Sequence, residues 1–171
     1  MKPLIHFAHA NGVPSRVYQK LFQHLQDDYD VIDVPLLGPD KRYPIDNHWN
    51  SLTQQVIDSI VRQAQGRKVI ALGHSLGSVL SFQAAQQRPE LFSQLIMLDP
   101  PMIMGKEALV MHVAKLLKLK ALDKMSPAGL SKRRRDHWES RQQAAELLRS
   151  KGFYQDFDPD CFQAYIDHAL T

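Results

Sequence analysis

The sequence predicts an α/β fold: a short parallel sheet of about four strands, helices on both of its faces, and an all-helical C-terminal region. Three observations carry this. Short apolar runs bounded by turn residues alternate with helix-period segments as far as Pro101. Within that alternation, Lys68 to Glu90 passes directly from an apolar run through Gly73-His74-Ser75-Leu76-Gly77 into a helix. After Pro101 only helical patterns appear. The chain therefore divides into an α/β core over residues 1–101 and a helical region over 102–171.

Leu4 to Phe7 reads as a strand buried on both faces. Ser15 is placed to cap a helix whose apolar positions are Val17, Tyr18, Leu21, Phe22 and Leu25. Val31 to Val34 is the second strand, closed by Pro35 and followed by a loop through Pro44. The next helix opens near Asp46-Asn47, aligns Trp49, Leu52, Val56, Ile60 and Ala64, and stops at Gly66. Val69 to Leu72 is the third strand. The helix behind the glycine pair repeats Val79, Leu80, Ala84 and Ala85 until Arg88-Pro89 ends it. Leu95 to Leu98 is the fourth strand, cut off by Asp99-Pro100-Pro101.

In the helical region, Ala108 to Leu119 sets Leu109, Val113, Leu116 and Leu117 on one stripe, and Ser126-Pro127 opens another helix. Ser140 with Gln143 forms a capping-box pattern for a helix expected to end at Gly152. Asp158-Pro159 starts the last helix, with Phe162, Tyr165, Ile166 and Ala169 on its apolar face.

Composition narrows the setting. Of 171 residues, 44% are hydrophobic and 23% charged, enough for a real core in a globular chain. A single cysteine, Cys161, rules out an internal disulfide and suits a reducing, cytoplasmic compartment. Cys161 itself reads as helix packing. No signal peptide or membrane span is expected. The net charge of +3 is unevenly spread: Lys106 to Lys151 holds twelve Lys/Arg against five Asp/Glu. Its densest run is Lys132-Arg133-Arg134-Arg135, with Lys115, Lys118 and Lys120 nearby. Without interleaved aromatics these cations read as solvated helix faces, or as an attraction for a negatively charged acyl substrate, and not as a nucleic-acid site.

Strand, G-x-S-x-G and helix in immediate succession describe a nucleophile elbow. The two glycines let the turn close while its backbone approaches neighbouring elements. The turn lifts the Ser75 hydroxyl above the sheet, and the Leu76 amide, opening the helix, can face a developing oxyanion. A serine in a tight βα turn with no chemistry is the alternative.

With these residues in view, the chain resembles the α/β-hydrolase fold superfamily over nearly its whole length. His9-Ala10-Asn11-Gly12-Val13-Pro14 is similar to the H-G-x-P oxyanion turn. Asp33 to Gly38, the Ser75 elbow with Arg88-Pro89-Glu90 behind it, and Leu98-Asp99-Pro100 complete the match. The helical tail looks like the cap, or lid, of that superfamily. Within it Arg135 to Arg141 and Phe157-Asp158-Pro159 are similar to cap segments of a bacterial and peroxisomal subgroup. The resemblance implies a partial α/β-hydrolase fold and a serine nucleophile, Ser75, working through an acyl-enzyme without metal or cofactor. It also implies an oxyanion hole from the amides of Leu76 and Asn11, and a small acyl substrate cleaved at an ester, thioester or similar bond. Serine at the elbow separates the chain from relatives that attack with a carboxylate.

The superfamily order is nucleophile, acid, histidine, with the last two on strands after the cap. Those strands and that histidine are not in this sequence, which is expected to be truncated relative to the pattern. Asp99 is the candidate acid, against a plain turn-forming Asp-Pro-Pro. His74 is expected to point away from Ser75. His9 is expected either to brace the oxyanion turn or to act as base, and His6 to sit in the core. His24 and His48 fall on helix surfaces, and His112, His137 and His168 on cap helices. A sheet lacking those strands leaves Leu95 to Leu98 as an open edge around Ile96, with room for self-association. A non-catalytic member of the fold, binding or scaffolding, or completed by another chain, is the competing function. The Leu109 to Leu117 stripe reads either as a pocket roof or as ordinary core.

Overall fold

The computed structural model describes residues 1–101 and 137–170. The helix expected over Ala108 to Leu119, the Ser126-Pro127 start, His112 and the Lys132–Arg135 run lie outside the described residues.

Four strands, β1 (Leu4–Ala8), β2 (Asp30–Asp33), β3 (Val69–His74) and β4 (Phe92–Leu98), form one parallel sheet in the order β2-β1-β3-β4. Crossovers carry α1 (Gln19–Leu25), α2 (Asn50–Ala64) and α3 (Leu76–Gln87). Every residue of β1 is buried, as a central strand with helices above and below requires. Its side chains divide by parity. Leu4 and Ala8, with Val69 of β3, pack under Leu52, Val56, Ile60 and Ala64 of α2 and Leu80 and Ala84 of α3. Ile5 and Phe7, with Leu72, pack under Tyr18, Leu21, Phe22 and Leu25 on the other face. Ile60 and Leu80 are completely enclosed. Burying each such side chain contributes about 1.5–3 kcal/mol.

Local details differ from the sequence expectation where tertiary partners outbid local ones. Ser15 does not cap a helix. Its hydroxyl donates to the Val34 carbonyl at 2.6 Å and its amide to the Pro35 carbonyl at 3.2 Å, so it fastens β1's exit to β2's. The first helix accordingly begins as a 3-10 turn, Ser15–Tyr18, before α1. Trp49 does not join the α2 stripe: with φ 57° and ψ 32° it precedes the helix and is 37% exposed. Asp46 anchors that start by accepting from the Ser51 amide and hydroxyl. The helix closes through left-handed Gln65 and Gly66.

β3 runs two residues beyond its apolar core, so His74 is a strand residue. β4 begins three residues earlier than its apolar run, because a bulge between Val69 and Ile70 pairs them with Phe92 and Gln94. Ser93, the extra residue, donates its hydroxyl to the Val69 carbonyl at 3.1 Å. β4 is the sheet edge in the described residues, with Ile96 37% and Leu98 41% exposed.

In the C-terminal segment, α4 (Arg141–Arg149), α5 (Gly152–Gln155) and α6 (Pro159–His168) enclose Leu148, Tyr154, Phe162 and Ile166. Ser140 caps α4 by accepting from the Gln143 amide. Gly152 opens α5 and does not end α4, which stops at Arg149. Asp158 caps α6 through the Asp160 and Cys161 amides and also pairs with Lys20 of α1 at 2.7 Å. Asp160 adds a second carboxylate to Lys20 at 2.9 Å. These exposed ion pairs orient α6 against α1 and the 3-10 turn but contribute little to stability. No helix among the described residues is long and apolar enough to cross a membrane.

His6 gives the fold a pH signature. It is fully enclosed, 3.0 Å from the Ser59 hydroxyl through Nε2, while Nδ1 has no partner among the described residues. Burial pushes its pKa from 6.5 down to about 3. Above 6.5 both folded and unfolded chains keep it neutral. As pH falls from there towards about 3 the unfolded chain gains a proton that the folded chain refuses, and stability is lost. The expected slope from this group is up to about 1.4 kcal/mol per pH unit. Denaturation midpoints followed against pH should decline less steeply for His6→Gln than for the native chain. Parallel declines would remove His6 as the cause.

Candidate active site

Ser75 separates β3 from α3 with φ 51° and ψ −116°, a conformation that costs a non-glycine residue about 1–3 kcal/mol. Three contacts hold it there. The Ser75 amide donates to the Leu98 carbonyl at 2.9 Å, tying the turn to β4. The Ser75 carbonyl accepts from the Ser78 amide at 3.0 Å and the Val79 amide at 3.4 Å. The Ser78 hydroxyl, fully buried, donates back to the Gly73 carbonyl at 2.6 Å.

The flanking glycines are required by space. A Cβ on Gly73 would stand 2.5 Å from Ser78 Cα, and one on Gly77 would overlap the Ala8 carbonyl and lie 2.8 Å from the His9 oxygen. The second approach brings the start of α3 directly against the end of β1. Ser75 is half-buried, and among the described residues its hydroxyl has no hydrogen-bond partner. Leu76, the first helical residue, has no acceptor for its amide within the helix.

The turn after β1 stands opposite. His9 is fully enclosed; the Leu37 amide donates to its Nε2 at 2.8 Å, so Nδ1 carries the hydrogen and donates to the Ala10 carbonyl at 2.7 Å. Burial lowers its pKa against the opposing pull of the Ala10 carbonyl and Asp33. With both nitrogens committed, His9 is a brace between this turn and the loop after β2. Beyond it, Asn11 is exposed at the tip and Gly12 takes φ 70°.

Asp99 follows β4 directly, exposed and left-handed at φ 45°. Its charge acts on His74, whose pKa burial lowers and Asp99 raises. His74 turns its Nδ1 to the Tyr18 hydroxyl, 2.7 Å away. The Ala10 amide donates to that same hydroxyl at 3.3 Å. Periodicity assigns Tyr18 to the core, and its ring is there. What escapes periodicity is the hydroxyl, although a phenol on an apolar stripe always needs a polar partner. His24 and His48 are exposed. The described residues thus bring Ser75, Leu76, Asn11 and Asp99 to the C-terminal ends of β1, β3 and β4, and they leave His6 and His9 committed elsewhere.

A family model described as the alpha/beta hydrolase fold matches residues 3–162. YugF of Bacillus subtilis, an uncharacterized hydrolase, is 30% identical over 83 residues, 47% of this chain and 30% of that protein. The type I acyl-CoA thioesterase mpaH of Penicillium brevicompactum is 23% identical over 175 residues, 94% of this chain and 38% of that protein. The solved structure of E-2-(acetamidomethylene)succinate hydrolase superposes with a TM-score of 0.68 at 23% identity, covering 98% of this chain and 57% of that one. The chain therefore spans between 30% and 38% of the length of these two curated relatives.

The contact between Gly77 and β1 is directly testable. Gly77→Ala sets a methyl against backbone that cannot rotate away, and should cost about 3 kcal/mol by chemical denaturation. A loss under about 0.5 kcal/mol, typical of neutral surface changes, would mean the two segments are not in contact.

Proposed function

The chain belongs to the alpha/beta hydrolase fold family, and on that premise we propose that Ser75 is the nucleophile of a hydrolase cleaving an ester, thioester or similar acyl bond. The observation that carries this reading is the backbone of Ser75 itself. A strained φ of 51°, held by hydrogen bonds to β4 and α3 and by two sterically obligatory glycines, keeps this half-buried serine at a strand end. The hydroxyl presented in this way has no hydrogen-bond partner among the described residues and so is left for a substrate.

In the proposed reaction the Ser75 oxygen attacks the acyl carbon as a base removes its proton. The resulting oxyanion is held by the Leu76 amide, at the positive end of α3, and by the Asn11 amide. Collapse breaks the acyl bond, and the leaving alkoxide or thiolate takes up that proton. Water then repeats the sequence on the acyl-enzyme and frees Ser75. No metal or cofactor takes part. Asp99 is the proposed acid that supports the base. The base itself is contributed from outside the three enclosed or engaged histidines His6, His9 and His74, and residues 102–171 form the proposed cap over a small acyl substrate. The resemblance to an acyl-CoA thioesterase favours thioesters as the first substrates to test.

A fluorophosphonate probe should label the chain on Ser75, and Ser75→Ala should abolish labelling and lower acyl-thioester turnover by about 10⁴-fold or more. A folded sample that takes no label at Ser75 would instead make this a non-catalytic member of the fold.

A further inference from the structure

Tyr18 lies where the two halves of the site meet. Its ring is packed on Phe7 of β1, with centroids 4.6 Å apart, and meets His74 edge-on at 5.8 Å. Its oxygen accepts the Ala10 amide hydrogen and sits 2.7 Å from His74 Nδ1. Since that oxygen already faces one donor, the single phenol hydrogen is best spent on Nδ1, which must then be bare. The hydrogen bonds therefore run in one direction, from the Ala10 amide through Tyr18 to His74, the residue immediately before the nucleophile.

We propose that Tyr18 is a positioning residue that holds the Ala10–Asn11 turn in register with Ser75, and that it does so only while His74 is uncharged. This rests on the hydrolase reading above and adds a regulation of the same site. A proton on Nδ1 would make His74 a donor to the Tyr18 oxygen. The phenol hydrogen, displaced from Nδ1, would have to turn out of the ring plane or confront the Ala10 N–H, and the longer Ala10 bond, at 3.3 Å, would be weakened. Among the described residues, the titratable and charged groups facing the imidazole are Tyr18 from the 3-10 turn and Asp99 from the end of β4. Tyr18 stays neutral throughout: burial pushes its pKa up to about 12, opposed by the Ala10 amide. At His74, burial outweighs the Asp99 charge and keeps the ring bare at neutral pH.

Nuclear magnetic resonance on the full isotope-labelled chain tests this without requiring turnover. The Ala10 amide proton should shift during acidification in step with the His74 ring, which at neutral pH should be the Nε2–H tautomer. In His74→Gln, whose carbonyl still accepts the phenol hydrogen but does not titrate, the Ala10 shift should become flat. In Tyr18→Phe, the Ala10 amide should move upfield, and fluorophosphonate labelling of Ser75 should slow about tenfold, less than the ~10²–10³-fold loss of an oxyanion donor itself. An Ala10 amide that ignores the His74 titration, or is unmoved in Tyr18→Phe, overturns the proposal. If Tyr18→Phe does not fold, the His74→Gln titration decides. If native Ser75 takes no label, the hydrolase reading fails, while the Ala10 titration still decides the Tyr18–His74 link.

Discussion

The structure depends on one close approach: the first turn of α3 lies against the last peptide of β1, with Gly77 in contact with the Ala8 carbonyl. Any side chain at residue 77 would separate the helix from the strand. Because the approach is so tight, the chain between β3 and α3 has no room for a relaxed connection, and Ser75 absorbs the turn at φ 51°. The strain is sustained by bonds to β4 and α3 and by the buried hydroxyl of Ser78. A sheet anchored by wholly enclosed apolar side chains can hold such a residue, since relaxing the turn would mean opening the core.

The same proximity explains why so many polar groups gather at this end of the sheet. The turn after β1 and the exit of β2 carry backbone groups that cannot pair within a strand, and several of them find side chains. His9 spans the Ala10 carbonyl and the Leu37 amide, Tyr18 takes the Ala10 amide, and Ser15 secures the Val34 carbonyl. Buried polar groups are retained at low cost only when satisfied, and here satisfaction fixes the geometry of the rim. By contrast His6 is enclosed under α2, with one nitrogen unpartnered among the described residues, and serves packing.

The C-terminal segment is attached differently. Its aromatic cluster around Tyr154 and Phe162 is its own small core, and its ties to α1 are the exposed Lys20 carboxylate pairs together with the packing of α6 on the 3-10 turn. Exposed ion pairs specify orientation more than they add stability.

Much of this was legible in the residues alone. Short apolar runs and helical patterns placed all four strands and the helices α1 to α3, because burial on both faces of a parallel sheet leaves continuous apolar runs such as Val69 to Leu72. The G-x-S-x-G spacing located Ser75, since few turns other than a sharp elbow need glycine on both sides. Local patterns misled where a group had a better distant partner. Ser15 looked like a helix cap but bonds to β2's exit, Trp49 looked like a stripe residue but sits in a left-handed turn, and Gly152 looked like a stop but begins α5. Which of its two expected roles His9 takes, the partner that His74 finds and the part played by the Tyr18 hydroxyl were decided by tertiary structure alone. A hydrogen bond between residues 56 positions apart leaves no trace in periodicity, which records only which face of an element meets the core.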